Sequence, residues 1–311
     1  MPLDTDIATM LETQAQLGGP QLYEVPIEEQ RAQTIGMVTA LFGPVDDVRS
    51  TRELRIPGPA GELAATVYEP HRIDCDGVLV FFHGGGFVAC SRETHDGVCR
   101  ALATLAGIEV VSVDYRLAPE HPFPAAVEDC WAATRWLVEN AEAAGLSSTR
   151  IGVGGDSAGG NLSAVVALRA RDEDLPLTCQ FLLFPMVSAL HDTESCRAFA
   201  KGYGLTIEDA RWCTANYLGE GARSNPEVSP LLRDDLGGVA PAIIITAEYD
   251  ILRDEAEQYA ARLASEGVPT VLWRALGMTH GFLVYRGTSA GAAATYPVTA
   301  RLLRMAFTFD V

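Results

Sequence analysis

Two glycine-rich segments, each set directly behind an apolar run, constrain this chain more than any other feature. Gly77-Val78-Leu79-Val80-Phe81-Phe82 leads into His83-Gly84-Gly85-Gly86, and Arg150-Ile151-Gly152-Val153-Gly154 leads into Gly155-Asp156-Ser157-Ala158-Gly159. A short unbroken apolar run of this kind reads as a strand buried on both faces, as in parallel sheets covered by helices. Residues 161–171 have the alanine-rich, leucine-rich content of a packed helix, so the second segment is a strand, a tight turn and a helix in succession. Gly-x-Ser-x-Gly in that setting fits a nucleophile elbow, whose flanking glycines permit a strained turn that lifts a serine hydroxyl above the sheet edge. The His-Gly-Gly-Gly loop fits the complementary part, backbone N–H groups that bind an oxyanion.

From residue 77 onward strand-like and helix-like segments alternate, which predicts an α/β fold with a mostly parallel sheet and helices on both faces. Further strands are expected at 109–114, 178–184, 242–246 and 269–273, with helices at 93–106, 124–144 and 254–266. Residues 51–57 and 62–69 read as an antiparallel pair around Gly58-Pro59-Ala60-Gly61. Two segments stand outside the alternation, 1–50 and 186–228, and both are candidates for a lid. With no internal repeat or flexible linker, the expected organisation is one core, residues 51–185 and 229–311, carrying a cap made of those two segments.

Composition narrows the partners. A chain with 48% hydrophobic and 21% charged residues is globular, and no apolar stretch approaches the ~18 residues that span a bilayer. The formal net charge of −18 repels phosphate, which argues against nucleic acid and stable membrane association and for a small neutral or cationic ligand. Seven scattered cysteines with no Cys-x-x-Cys pair read as reduced thiols without a metal site. The acidic N-terminus, with no apolar stretch behind it, is unlike a secretory leader. A cytoplasmic location is therefore expected.

A serine hydroxyl is a weak nucleophile and needs a general base, which on such a sheet follows the last strand, in the chain order serine, acid, histidine. Only His191 and His280 follow Ser157. His191 falls in the lid segment, whereas His280 comes a short loop after Trp273, so His280 is the base. The acid should lie just past the strand 242–246, where Glu248, Asp250 and Asp254 compete. Glu248 is nearest the strand, Asp254 fits a helix cap, and Asp250, in the connecting loop, is best placed. Gly85, Gly86 and Ala158 are the expected oxyanion donors, and His83 shapes their loop.

With these residues in view, His83-Gly84-Gly85-Gly86-Phe87, Asp114-Tyr115-Arg116-Leu117-Ala118-Pro119-Glu120, Gly155-Asp156-Ser157-Ala158-Gly159-Gly160-Asn161, Glu248-Tyr249-Asp250-Ile251-Leu252-Arg253-Asp254-Glu255 and His280-Gly281-Phe282 together resemble the bacterial hormone-sensitive-lipase-like carboxylesterases. The resemblance spans roughly residues 50 to 310. It implies an α/β-hydrolase fold with a helical cap, hydrolysis of short- to medium-chain carboxylic esters, and Ser157, Asp250 and His280 as catalytic triad. No metal or cofactor is required. Phe87, Tyr203, Leu205, Trp212 and Tyr217 are candidate pocket walls, each equally able to be cap core. A small-molecule ester is the expected partner, and a homodimer is left open. Two rivals share the scaffold: a non-catalytic small-molecule receptor, which the presence of His280 disfavours, and an acyltransferase, amidase or formamidase using the same triad.

Overall fold

In the computed structural model, which describes residues 1–18, 22–219 and 221–308, the apolar run before the first glycine loop is strand β3 (Val78–Phe82). Residues 19–21, 220 and 309–311, which belong to the expected N-terminal segment, insertion and core respectively, lie outside the described residues. All five side chains of β3 are buried because both faces are covered. Val78, Val80 and Phe82 enter one apolar layer, Leu79 and Phe81 the other. This is the period-two consequence of a strand sandwiched between helices.

The remaining elements are α1 (Thr5–Leu17), α2 (Ile27–Phe42), β1 (Ser50–Gly58), β2 (Gly61–Glu69), α3 (Asp96–Ala106), β4 (Glu109–Val113), α4 (Ala125–Asn140), β5 (Ile151–Asp156), α5 (Ala158–Asp172), β6 (Gln180–Leu183), α6 (Glu194–Ala198), α7 (Ile207–Leu218), β7 (Ala242–Tyr249), α8 (Arg253–Ser265), β8 (Thr270–Thr279) and α9 (Ala290–Ala306). They build one eight-stranded sheet in the order β1-β2-β4-β3-β5-β6-β7-β8. β1 and β2 pair antiparallel with each other, and β2 pairs antiparallel with β4; every pairing from β4 to β8 is parallel. Helices α4, α5 and α8 cover one face and α3 and α9 the other.

The strand order places the site. From β3 the chain steps outward to β4, then crosses back to β5 on the other side of β3, so connections leaving β3 and β5 diverge. A crevice opens at such a switch point, at the carboxyl ends of the strands. Phe82 pairs with Gly155 in the register, so the loop that begins at His83 emerges beside Asp156 and Ser157.

Strand β8 is longer than the periodicity predicts, running to Thr279 rather than ending near Trp273. Among the described residues it is an edge strand paired only with β7, and Leu272 and Leu276 are exposed, so its apolar signal is weak. His280 thus follows the strand end directly, with no intervening loop. No helix among the described residues is long and apolar enough to cross a membrane.

Candidate active site

Ser157 occupies the first turn after β5 with φ 54° and ψ −115°, a left-handed conformation rare for a residue with a Cβ. The turn is pinned on both sides. Ser157 N–H donates to the Leu183 carbonyl at 2.9 Å, while the Ser157 carbonyl accepts from Met186 N–H at 3.1 Å and Asn161 N–H at 3.0 Å. The flanking glycines serve a different purpose from the one their motif suggests: neither carries the positive φ. An added Cβ would stand 2.2 Å from the Phe82 carbonyl oxygen at Gly155 and 1.9 Å from it at Gly159, so both are glycine because α5 and β5 press directly on the backbone of β3.

Three sequence-predicted residues meet at this turn. His280 Nε2 lies 2.9 Å from Ser157 Oγ, and His280 Nδ1 lies 2.8 Å from Asp250 Oδ2. The other carboxylate oxygen of Asp250 accepts from Leu252 N–H at 2.9 Å. An ionised carboxylate only accepts, so the imidazole carries its proton on Nδ1 and turns the Nε2 lone pair toward the serine hydroxyl. Burial alone would disfavour the imidazolium, but the charge and hydrogen bond of Asp250 outweigh it and raise the His280 pKa above its ordinary 6.5.

The competing residues sit elsewhere. Glu248 accepts from Gly277 N–H at 2.7 Å, across to β8. Asp254 is not the cap of α8, which starts at Arg253; its carboxylate accepts from Ser195 N–H at 2.7 Å and pairs with Arg253. His191 is buried against Thr214 Oγ1, 2.9 Å from its Nε2.

Gly85 and Gly86, with φ of 113° and 62°, line the same cavity as Ser157, Ala158 and His280. Ala158 opens α5, where a backbone N–H has no intrahelical acceptor. His83 is buried beneath the loop, its Nδ1 2.7 Å from the Gly84 carbonyl and its ring stacked 4.3 Å from Tyr115. Tyr115 Oη donates to the His83 carbonyl at 2.7 Å, which is what the Asp114-Tyr115-Arg116 motif contributes here.

One partnership is invisible in the motif pattern. Asp156, the unspecified position before the serine, is buried, accepts from Gly84 N–H at 2.8 Å and pairs with His95 Nε2 at 3.1 Å. Burial opposes both charges, yet the mutual attraction lowers the Asp156 pKa and raises that of His95. Asp156 thus ties the serine turn to the glycine loop through Gly84 and to the start of α3 through His95. In the sequence this partnership shows only as an acid before the serine and a histidine at the start of the helix that follows the glycine loop.

The cavity measures about 260 Å³ and has a mainly apolar wall. Phe87 and Leu205 line it, as the sequence suggests, whereas Tyr203, Trp212 and Tyr217 do not. Tyr217 is one layer back, stacked on Phe87 at 3.8 Å; Tyr203 stacks on Tyr249; Trp212 packs partly buried against the core. The side chains that do close the cavity come from α2 (Gln30, Met37) and α7 (Ala210, Cys213). Helix α2 is held there by Arg31, which donates to the Val88 and Ala118 carbonyls and makes a bidentate pair with Glu120, pulling that carboxyl down to about 2. Asn161 Nδ2 donates at 2.8 Å to both the Met186 and Val228 carbonyls, drawing together the two ends of the segment that carries α6 and α7.

A hydrogen-bonded Ser-His-Asp chain at the switch point of a doubly covered, mostly parallel sheet defines the α/β-hydrolase class. A family model described as alpha/beta hydrolase fold matches residues 79–284, and the chain belongs to this family, in its hormone-sensitive-lipase-like branch. Among its relatives, the carboxylic ester hydrolase LipN of Mycobacterium tuberculosis is 42% identical over 94% of this chain and 80% of its own length. An arylesterase of Saccharolobus solfataricus is 38% identical over 91% of this chain and 93% of its own. The crystal structure of a thermostable esterase from Pseudomonas putida superposes with a TM-score of 0.94 at 32% identity, covering 99% of both chains.

Proposed function

We propose that this chain hydrolyses short- to medium-chain carboxylic esters through an acyl-enzyme on Ser157. Ser157 Oγ attacks the ester carbonyl while His280 Nε2 takes its proton, and the same proton passes to the departing alcohol as the C–O bond breaks. Water then adds to the acyl-enzyme with His280 again as base, releasing the acid and restoring the serine. Asp250 holds the imidazole tautomer and balances the imidazolium that forms at each step. The tetrahedral oxyanion is bound by the N–H groups of Gly85, Gly86 and Ala158, in a site where burial strengthens each donor. No cofactor enters these steps.

The observation that carries this reading is the continuous chain from Ser157 Oγ through His280 to Asp250, opening on a small apolar cavity. At about 260 Å³ that cavity sits just below the ~300 to 1,000 Å³ of drug-sized ligand sites, which favours short acyl groups. On this reading the segments 1–50 and 186–228 act as the cap, and 51–185 with 229–311 as the catalytic core. Seven free cysteines fit a reducing cytoplasm.

A panel of p-nitrophenyl esters from acetate to palmitate, with an anilide control and an alcohol acceptor, tests the assignment. Butyrate-range esters should be turned over fastest, with hydrolysis exceeding transfer and amide cleavage. Ser157→Ala should lower kcat by roughly 10⁶-fold with the fold intact. A palmitate optimum would refute the substrate class, and retained activity in the variant would refute the nucleophile.

A further inference from the structure

Behind the Asp250 loop lies a second group of reactive side chains that ester hydrolysis does not use. His191 stands in the connection from β6 to β7, Cys196 on α6 and Glu255 on α8, with only 4%, 3% and 0% of their surfaces exposed. One ligand-capable atom from each lies within 4.8 Å of the other two. Two of the side chains hold polar atoms with nothing to bond: His191 Nδ1 and Glu255 Oε2 are buried without a hydrogen-bond partner among the described residues. Their other atoms are already held. His191 Nε2 is 2.9 Å from Thr214 Oγ1, and Glu255 Oε1 accepts from the N–H groups of Val187 and Ser188 at 2.8 and 3.0 Å. Side chains anchored at one atom and open at the next have the outer hydrogen bonding that metal ligands need.

We propose that His191, Cys196 and Glu255 form a binding site for a divalent transition-metal ion of the zinc type, clamping the β6–β7 connection to helix α8. Nitrogen, sulfur and carboxylate oxygen together are zinc donors. A point at the centre of the three atoms is at most about 2.8 Å from each, within about 0.8 Å of the bonds that zinc makes. Neutral imidazole, thiolate and carboxylate balance a 2+ ion, so the filled site buries no net charge. Burial, with Arg223 and Arg211 nearby, holds His191 down to about 4 and so in its neutral ligand form. Burial also raises the Cys196 thiol and the Glu255 carboxyl. Thiol and carboxyl groups ligate in their deprotonated forms, so any proton held by Cys196 or Glu255 leaves to solvent as the bond to the ion forms.

None of the three residues lines the catalytic cavity, so the ion would act structurally. What it would brace is specific. The Ile251 carbonyl, one residue beyond Asp250, accepts from Ser195 Oγ at 2.8 Å, so α6 already leans on the loop that carries the acid; the Cys196 S–H bond to the same carbonyl, 3.3 Å long, is given up when the thiol binds the ion.

Chelator-stripped full-length protein titrated with Co²⁺ and Zn²⁺ tests the site. One equivalent of Co²⁺ should give a thiolate-to-cobalt charge-transfer band that Zn²⁺ abolishes, and zinc at a hundredfold excess over Kd should raise Tm by about 5 °C. Cys196→Ser should remove the band. Glu255→Gln, which keeps an oxygen for Val187 and Ser188, should weaken binding at least ~10-fold. Cys75→Ser, on the far side of the core, should change neither readout. No band in the wild-type protein, a band that survives Cys196→Ser, or a Tm insensitive to zinc would overturn the proposal. Should Cys196→Ser fail to fold, the wild-type spectrum and Glu255→Gln decide it.

Discussion

Replacing Gly86 with alanine tests the oxyanion loop at the point where helix α7 touches it. The new Cβ would stand 2.4 Å from Cys213 Sγ and 2.9 Å from Cys213 Cβ on α7, where ordinary contact needs about 3.5 to 4 Å. Residue 86 also has φ 62°, which costs alanine about 1 to 2 kcal/mol. Either α7 gives way or the loop shifts by about 1 Å, and a misplacement of that size near the reacting atoms costs about 10²-fold. Loss of one oxyanion donor costs about 10² to 10³-fold, or about 2.7 to 4 kcal/mol. Gly86→Ala should therefore lower kcat on p-nitrophenyl butyrate by about 10² to 10³-fold, with KM within about 3-fold, because the donor acts on the transition state. Tm should fall by about 2 to 6 °C. Adding Cys213→Ala removes the Sγ contact but leaves the 2.9 Å one and the left-handed strain, so recovery should reach only about 10-fold. Wild-type kcat in Gly86→Ala would refute the donor role, and a double variant no better than the single would refute the steric account.

Because His280 must be neutral to act as base and its pKa is raised, kcat/KM should climb through a limb above pH 6.5. Asp250→Asn should cost about 10⁴-fold in kcat and move that limb to lower pH, since burial is then unopposed; a stationary limb would contradict the assignment. Asp156 with a lowered pKa stabilises the fold above its unfolded value and loses this as pH falls; His95 with a raised pKa stabilises it below 6.5 and loses this as pH rises. Chemical denaturation of Asp156→Asn should show a loss of about 1 to 3 kcal/mol within that window, shrinking at its edges; a pH-independent loss would refute the pair's role. Gln30 has both amide atoms buried on the cavity wall without a hydrogen-bond partner among the described residues. Gln30→Leu should raise Tm and lower kcat/KM for hydroxy-substituted esters relative to butyrate; an unchanged ratio would show that no substrate group bonds there.

The parts legible in the sequence are those where one residue type answers one physical demand. A strand buried on both faces must be apolar throughout, so Val78–Phe82 could be read directly. Elimination left His280 as the one histidine placed to reach Ser157. What escaped reading depends on three-dimensional partners. Helix α2 supplies Gln30 and Met37 to the cavity because partners distant in sequence hold it there, among them the carbonyls some 57 and 87 residues away that accept from Arg31. Tyr217 and Phe87 are both aromatic near the site, yet their stacking puts one on the wall and the other behind it. Composition cannot distinguish those two outcomes.

The would-be Cβ contacts at Gly155 and Gly159 change how the two glycine motifs relate. Both converge on a single atom, the carbonyl oxygen of Phe82, the residue immediately before the His-Gly-Gly-Gly loop. Gly84 N–H then bonds to Asp156, the residue immediately before the serine. The distance between Ser157 and the glycine loop is thus set by backbone lying against backbone, with one carboxylate across the gap. A methyl group at 155 or 159 would push β3 away and carry the glycine loop with it, leaving Ser157, His280 and Asp250 all present. The two motifs are therefore one mechanical unit, and their glycines are needed for the spacing between chain segments as much as for the turns they make.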